Sequence, residues 1–513
     1  MDSNPPPAGL TPDDWAATPR TVRQFIGALL TVLAQQQQQL ADQQQQLAHL
    51  QVRIADLEAR LTQHSQNSSK PPSSDPPSAP PRPARVPRGR KAGGQPGHPP
   101  HDRPAPDPDH LDHTRDHYPQ TCPTGQRSLA DRRQDACAVQ TQYVWELPVV
   151  RPEIIAHHYH TVCCPGCGDL VTAARPPDVP PGAFGPRAAA AVTLLHGDYH
   201  LSHRAVPRLL HDFFAFPISL GSVVTLQQAG SAALAPVYDA IHTTVQQTDR
   251  CNIDETGWKE AGNRRWRWTM VTAIATCFYV ATSRDGPGLR HLLGTAYRGI
   301  VGSDRQRPYL ALPPERHQLC WGHLIRNFQA LVDRGGRLGV WGADFLALSR
   351  LVFRLWHLFR EGTIDRATLQ AAMAPIQAAV HALLEQGARR CDAPEAMCQE
   401  LLNHEAALWT FVREENVEPT NNAAEQALRG AVLWRKGCFG AHSAEGNRFV
   451  ERILTVSATC RKQQRHLLTF VTEAIDAYWA GRPAPTLLPP NSDPPVNDYR
   501  SSINASSMFA YCN

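Results

Sequence analysis

The spacing of hydrophobic residues changes several times along this chain. Over residues 21–63 it is sevenfold. Leu33, Leu40, Leu47, Ile54 and Leu61 form one seam, while Leu29, Leu50 and Leu57 form part of a second that Gln36 and Gln43 interrupt. This period predicts one long helix over about 21–63, in an N-terminal segment spanning 1–64: a self-associating coiled coil or, alternatively, a lone amphipathic helix or floppy glutamine tract. The period then stops. Pro, Ser and Gly dominate residues 65–112, which read as a disordered basic linker that cannot build a core. Residues 113–178 carry short strand-like runs. Residues 179–244 turn helical, with two helix-like segments on either side of FAFPISLG and Ser219 or Ser222 able to cap the second. The spacing fits a helix-turn-helix, whose second helix enters the major groove, and equally an ordinary packed pair.

Strand alternation replaces the helical period over residues 247–301. CNID reads as a short strand ending at Asp254. RRWRWTMVTAI and FYVATS read as a hairpin, LRHLLGTAYRG as a helix, and IVGSD as a strand ending at Asp304. A strand carrying Asp, a meander and a second strand carrying Asp open a ribonuclease H-like fold, so the expected class is α/β. Residues 335–412 lack strand signals and are too long for a connecting loop. They read as a helical insertion within a catalytic domain spanning 245–465. Glu425, in PTNNAAEQALR, sits one turn into a helix that Thr420 or Asn421 can cap. A last helix near residues 466–479 and a disordered Pro-rich tail complete the segment 466–513.

Composition refines this picture. Hydrophobic residues make up 42% of the 513, enough for a sizeable core, and many of the 45 prolines cluster near the two ends. A net charge of +4 does not by itself mark a nucleic-acid partner. Local clusters say more. Arg88, Arg90 and Lys91 lie in a basic stretch of the linker, suited to phosphate contacts without sequence preference or simply to solvation. Arg429, Arg435, Lys436 and Arg448 surround Glu425 in sequence and read either as phosphate contacts or as a solvated basic face. The N-terminus has no basic-then-apolar leader, and residues 270–282 are too short an apolar run to span a bilayer. The expectation is a soluble cytoplasmic protein without membrane partners, its cysteines thiols or metal ligands.

Two groups of residues carry chemistry. Cys164-Pro-Gly-Cys167 followed by Gly168 has the form of a zinc-ribbon knuckle. Cys122-Pro-Thr-Gly125 is placed like its partner, but Gly125 stands where a second thiolate is needed. Cys122, Cys164 and Cys167 remain as zinc ligands, with Cys163, Cys137 or His117 for a fourth; the other reading is a vestigial ribbon. The second group is Asp254, Asp304 and Glu425. Three converging carboxylates repel one another, and Mg²⁺ or Mn²⁺ relieves this. Two such ions can clamp the attacking and leaving oxygens of a phosphodiester.

LEARLTQHSQNSSKPPSSD, GGQPGH, DETGW with a following WRW, SDR, QLCWGHLIRNF and EPTNNAAEQALRGAVLWRKGCFGAHSAEGNRFVERILTV together resemble the insertion sequence 66 family of bacterial transposases. The resemblance implies a leucine-zipper-like N-terminus, a zinc-finger segment and a DDE catalytic domain with an insertion before its Glu. It implies a catalytic triad of Asp254, Asp304 and Glu425, with Asp254 bridging two Mg²⁺ ions. It implies cleavage at transposon ends, strand transfer into target DNA, binding of terminal inverted repeats, homo-oligomerisation through the coil, and companion proteins of the same element. A nucleoid-associated bacterial location follows. The CWGH motif at Cys320 and His323 also resembles the family; packing near the site is its expected role. Three positions depart from the pattern: Gly125, Gln426 where the family usually has Arg, and RQRPY after Asp304. The rival readings are a catalytically decayed protein that still docks on transposon ends, and a metal nuclease that does not join strands.

Overall fold

Thr11 caps a short helix, α1 (Pro12–Ala17), its hydroxyl accepting the Asp14 N–H at 3.2 Å. The sevenfold repeat then forms one uninterrupted helix, α2 (Arg20–Leu61). Its 42 residues span about 63 Å at 1.5 Å per residue. Leu33, Leu40, Leu47, Ile54 and Leu61 are each more than half exposed. This computed structural model describes residues 9, 11–61, 63–64, 67, 105–389 and 394–488. It is a mixed α/β structure in two units, one formed by residues 1–82 and 302–421, the other by 83–301 and 422–513. The linker stretch with Arg88, Arg90 and Lys91 lies outside the described residues.

The described residues of the second unit start at 105 and include, ahead of its helices, an antiparallel pair of β1 (Thr161–Cys163) and β2 (Leu170–Thr172). Four helices follow: α3 (Pro186–Gly197), α4 (Ala205–Phe214), α5 (Leu220–Ala233) and α6 (Ala235–Val245). The span read as two helical segments therefore holds more breaks than its period shows. His200 and Ala215 take left-handed φ values of 61° and 50°, and Pro236 restarts the chain at the head of α6. Ser219 caps α5, its hydroxyl accepting the Ser222 N–H at 3.1 Å.

The sheet of this unit is built on a hairpin of β3 (Arg250–Glu260) and β4 (Asn263–Val271), with β5 (Thr276–Ala281) antiparallel beyond β4. Asp254 lies inside an eleven-residue strand rather than at the end of a short one. The reason is the turn. Ala261 and Gly262 both take positive φ, 47° and 81°, as a two-residue type I′ connection requires. Pairing therefore continues to Glu260 opposite Asn263, through a polar stretch without an apolar run. After α7 (Gly286–Leu293), the first residues of β6 (Ile300–Ser303) lie beside β3, giving the order β5-β4-β3-β6.

The last residues of β6 belong to the first unit, where β7 (His317–Leu319) is their neighbour. Among the described residues, the further elements of that unit are helices: α8 (Arg307–Leu310), α9 (Trp321–Arg334), α10 (Gly336–Arg360), α11 (Arg366–Ala388), α12 (Glu395–Asn403) and α13 (Thr410–Arg413). Trp321, Phe328, Trp341 and Phe345 form its aromatic core. α11 is long and apolar enough to cross a membrane by length and composition alone. Here its stripe of Leu369, Met373, Val380 and Leu384 is fully buried within the unit.

Three helices complete the second unit: α14 (Asn422–Cys438), α15 (Ala444–Lys462) and α16 (Leu467–Trp479). α16 packs on α3 and α5. α15 packs along β5 and satisfies its backbone. The N–H groups of Thr276, Phe278 and Val280 donate to Thr459 Oγ1 (3.2 Å), Thr455 Oγ1 (3.0 Å) and Glu451 Oε1 (2.7 Å). Two residues of strand advance about 6.8 Å and four residues of helix about 6 Å, so the rows nearly match. A sheet edge that would otherwise present free donors is thereby closed.

Burial pushes the Glu451 carboxyl up to about 7. Its folded pKa lies above the unfolded value near 4.3, so the native state holds the extra proton and stability falls as pH rises through that interval. Gln at this position keeps the acceptor oxygen and removes the charge. Glu451→Gln should melt near wild type at about pH 5 and above it at about pH 8, by no more than about 3 kcal/mol. Melting curves at the two pH values check this; a variant uniformly less stable at both contradicts it.

Candidate active site

In the second unit, strand alternation puts Asp254, Thr256 and Trp258 on one face of β3, opposite Thr269, Arg267 and Arg265 of β4. α14 covers this face. Trp434 meets Trp258 edge-on at 6.4 Å, and Arg435 Nη1 donates to Thr256 Oγ1 at 3.2 Å and to Gly257 O. Gly257 makes room for that guanidinium, since a Cβ there would lie 3.3 Å from Arg435 Nη1. Trp258 Nε1 donates to Asn447 of α15 at 2.9 Å, and Asn447 Nδ2 donates to Glu260 at 2.6 Å. The structure therefore brings Asp254 and Glu425 into one sheet–helix layer, the Asp on the covered strand and the Glu in the first turn of the covering helix. Both are half-buried. Asp254 Oδ1 accepts the Glu255 N–H at 2.9 Å. Glu255 points to the opposite face, where Arg284 pairs with it at 2.6 Å.

Asp304 belongs to the first unit and follows β6 directly. It is buried, and its Oδ1 accepts the Gln306 N–H at 3.0 Å. Cys320 caps α9, and its N–H donates to Ser303 O at 2.9 Å. Cys320 Sγ accepts the Asn421 N–H at 3.2 Å, and the Trp321 N–H donates to Pro419 O at 2.9 Å. The CWGH motif thus pins residues 419–421, which lead into α14, to the head of α9 and to the strand end before Asp304. His323, one turn into α9, is buried, and burial pushes its pKa down to about 3, so the imidazole is neutral at pH 7.

The two cysteine loops have the same backbone. Cys122 N–H donates to Arg127 O at 2.9 Å and Gln126 N–H to Cys122 O at 2.9 Å; Cys164 N–H donates to Asp169 O at 2.8 Å and Gly168 N–H to Cys164 O at 2.8 Å. Gln126 takes φ of 47° where Gly168 takes 79°. Gly125 therefore occupies the place of Cys167 in an otherwise intact knuckle. Backbone N–H groups of Gly125 and Thr124 hold the Cys122 thiol below its ordinary pKa, and those of Cys167 and Gly166 do the same for Cys164. Among the described residues, Cys122 does not share a three-ligand cluster with Cys164 and Cys167.

Of the basic residues expected near DNA, Arg429, Lys436 and Arg448 are exposed, and Arg448 pairs with Glu445. Arg435 is half-buried and committed to β3 rather than standing on a free face. Sequence reading missed two features. The β5-capping row of Glu451, Thr455 and Thr459 carries a visible signal, polar residues four apart in an apolar helix. Arg267, in the middle of β4, carries the other: a cation inside an aromatic strand.

The model of the Transposase IS66 family matches residues 181–448, a span that holds Asp254, Asp304 and Glu425. The chain belongs to that family. Residues 21–104 match a family of unknown function, DUF6444. Two uncharacterized proteins of Sinorhizobium fredii are similar: y4hP, 25% identical over 55% of this chain and 57% of its own length, and y4qI, 24% identical over 48% of this chain and 51% of its own. The chain spans about half the length of these relatives.

A Cβ at Gly125 would meet only Cys122 Sγ, at an ordinary 3.6 Å. Gly125→Cys should therefore keep the loop and give its knuckle the pair of thiolates that Cys164 and Cys167 give the other. The expected result is tighter zinc retention per chain in a chelator competition. Equal retention by both proteins contradicts it.

Proposed function

We propose that the chain is a DNA transposase that cuts at the ends of its own insertion sequence and joins them to target DNA, using Asp254, Asp304 and Glu425. The observation that carries the reading is the family match across a segment in which Asp254 and Glu425 share one sheet–helix layer. An α/β core opening with a hairpin and a further strand beside β3 supports a ribonuclease H-like assignment, with the helices of residues 336–413 as an insertion.

The donor chemistry fits a hard divalent cation. The three side chains offer only carboxylate oxygens, and each comes from a strand, a strand end or a first helical turn. These residues would hold one or two Mg²⁺ or Mn²⁺ ions, which when bound lower the pKa of water and neutralise charge on the phosphodiester. The chain's own contribution is orientation. The Glu255 N–H aims Asp254, the Gln306 N–H aims Asp304, and the positive end of α14 favours a carboxylate at Glu425. Reaction at the transposon end releases a 3′-hydroxyl that attacks target DNA in line.

Partners follow from surface and charge. The exposed leucine seam of α2 suits a second copy of the same helix, giving a homo-oligomer through a coiled coil. Helices α3–α6 and the exposed Arg429, Lys436 and Arg448 suit DNA contacts at terminal repeats. The knuckle loops suit zinc, for which Cys122, Cys164 and Cys167 would be the ligands once the two loops meet.

A supercoiled plasmid carrying the element's ends, incubated with Mn²⁺, tests the reading. Wild type should nick and join. Asp254→Ala and Glu425→Gln should each lose at least about a hundredfold in rate, since even outer-shell partners of a metal cost up to that much. Nicking that survives Asp254→Ala sinks the assignment. End-binding without cleavage by wild type favours the decayed protein, and hydrolysis without joined products favours a nuclease.

A further inference from the structure

Arg267 stands in the middle of β4, opposite Thr256 and on the face that carries Asp254. It is fully buried, at 0% exposure, and its guanidinium lies 4.4 Å over the Trp258 ring. None of its three guanidinium nitrogens has a hydrogen-bond partner among the described residues. Burial, with Arg435 nearby, pushes its pKa down to about 9, so it is still a cation at pH 7. An uncompensated buried charge is strongly unfavourable, and an aromatic face offsets only part of that.

A second guanidinium lies beside it. Arg435 reaches down from α14 to Thr256, the cross-strand partner of Arg267, and its bonds go to a hydroxyl and a carbonyl. His200, stacked on Trp434 at 5.0 Å, is close enough that Arg267 helps lower its pKa. Two guanidinium groups thus lie at Trp258 and its strand, one strand-face position along from Asp254. Arg435 and Cys438 are half-exposed and Lys436 is exposed, so the end of α14 is where this group meets solvent. Arg435 moving off Gly257 would open the way to Arg267.

We propose that Arg267 and Arg435 form a phosphate-binding site that takes a backbone phosphate of DNA beside the Asp254 position, a role that rests on the transposase reading. A phosphate accepts from a guanidinium fork in two parallel bonds and supplies the negative charge both cations lack. Arg267 is then a positioning residue. It holds the strand while the carboxylates act on the neighbouring phosphodiester.

The full chain, compared with Arg267→Met and Arg267→Lys, tests this with two readouts. Inorganic phosphate, set against chloride at equal ionic strength, should raise the melting temperature of wild type and not that of Arg267→Met. With metal chelated, Arg267→Met should bind a transposon-end duplex about tenfold more weakly, with a salt slope lower by about one. Removing an unpaired buried charge should leave its melting temperature in chloride equal to or above wild type. A variant that melts lower yet keeps wild-type phosphate and DNA binding overturns the proposal and makes Arg267 structural. Should Arg267→Met not fold, Arg267→Lys carries the test. It keeps the charge and loses the fork, so phosphate protection must fall, and protection equal to wild type overturns the site. The phosphate readout needs no cleavage, so failure of the transposase reading appears separately, as wild-type and Asp254→Ala proteins alike in the plasmid reaction.

Discussion

The row of side-chain acceptors on α15 fixes the layout of the second unit. β5 ends the sheet, and its outward N–H groups have no further strand to meet. Glu451, Thr455 and Thr459 supply the missing partners at a spacing only a helix laid along the strand can provide. With α15 held there, the five residues that join it to α14 have little freedom. Ala441 bridges Glu260, and Gly440 packs so closely on Lys259 O that a Cβ would lie 2.3 Å away. α14 is therefore held over β3, and Glu425 enters the layer that carries Asp254. The position of a carboxylate is in this sense set by hydrogen bonds at the far edge of the sheet.

Much of this was legible in the sequence. The period of α2, the alternation of β4 and β5 and the all-helical run after Trp321 are long or strongly patterned, and each has one dominant reading. The polar half of β3 was not legible. After Asp254 the strand carries Glu, Thr, Gly, Trp, Lys and Glu, because both of its faces are partly covered by polar or charged partners. Its extent depends on Ala261 accepting a left-handed backbone in front of Gly262. The breaks among α3–α6 were hidden for a similar reason. They rest on two single residues with positive φ, His200 and Ala215, and on Pro236, and the hydrophobic period runs on through them.

The carboxylates were visible through their surroundings, whereas the cations near them were not. A carboxylate at a strand or helix start stands out against neutral neighbours. Arg267 reads as one more basic residue in RRWRW, and only burial separates it from Arg265, which pairs with Glu260, and Arg264, which lies over Trp266. Similarly, Arg435 and Lys436 are adjacent in sequence but differ in kind, one bound to the strand and the other solvated. Charge clusters in a sequence count residues; the fold decides which of them keep water.

The paired cysteine loops have a consequence for how such a chain can drift. Their shape is encoded in backbone hydrogen bonds and one left-handed residue, and the loop with Gly125 retains both without its second sulfur. Architecture and ligand are separate inheritances here. A lineage could shed the metal while keeping the scaffold intact, and a single replacement at position 125 would restore the missing sulfur.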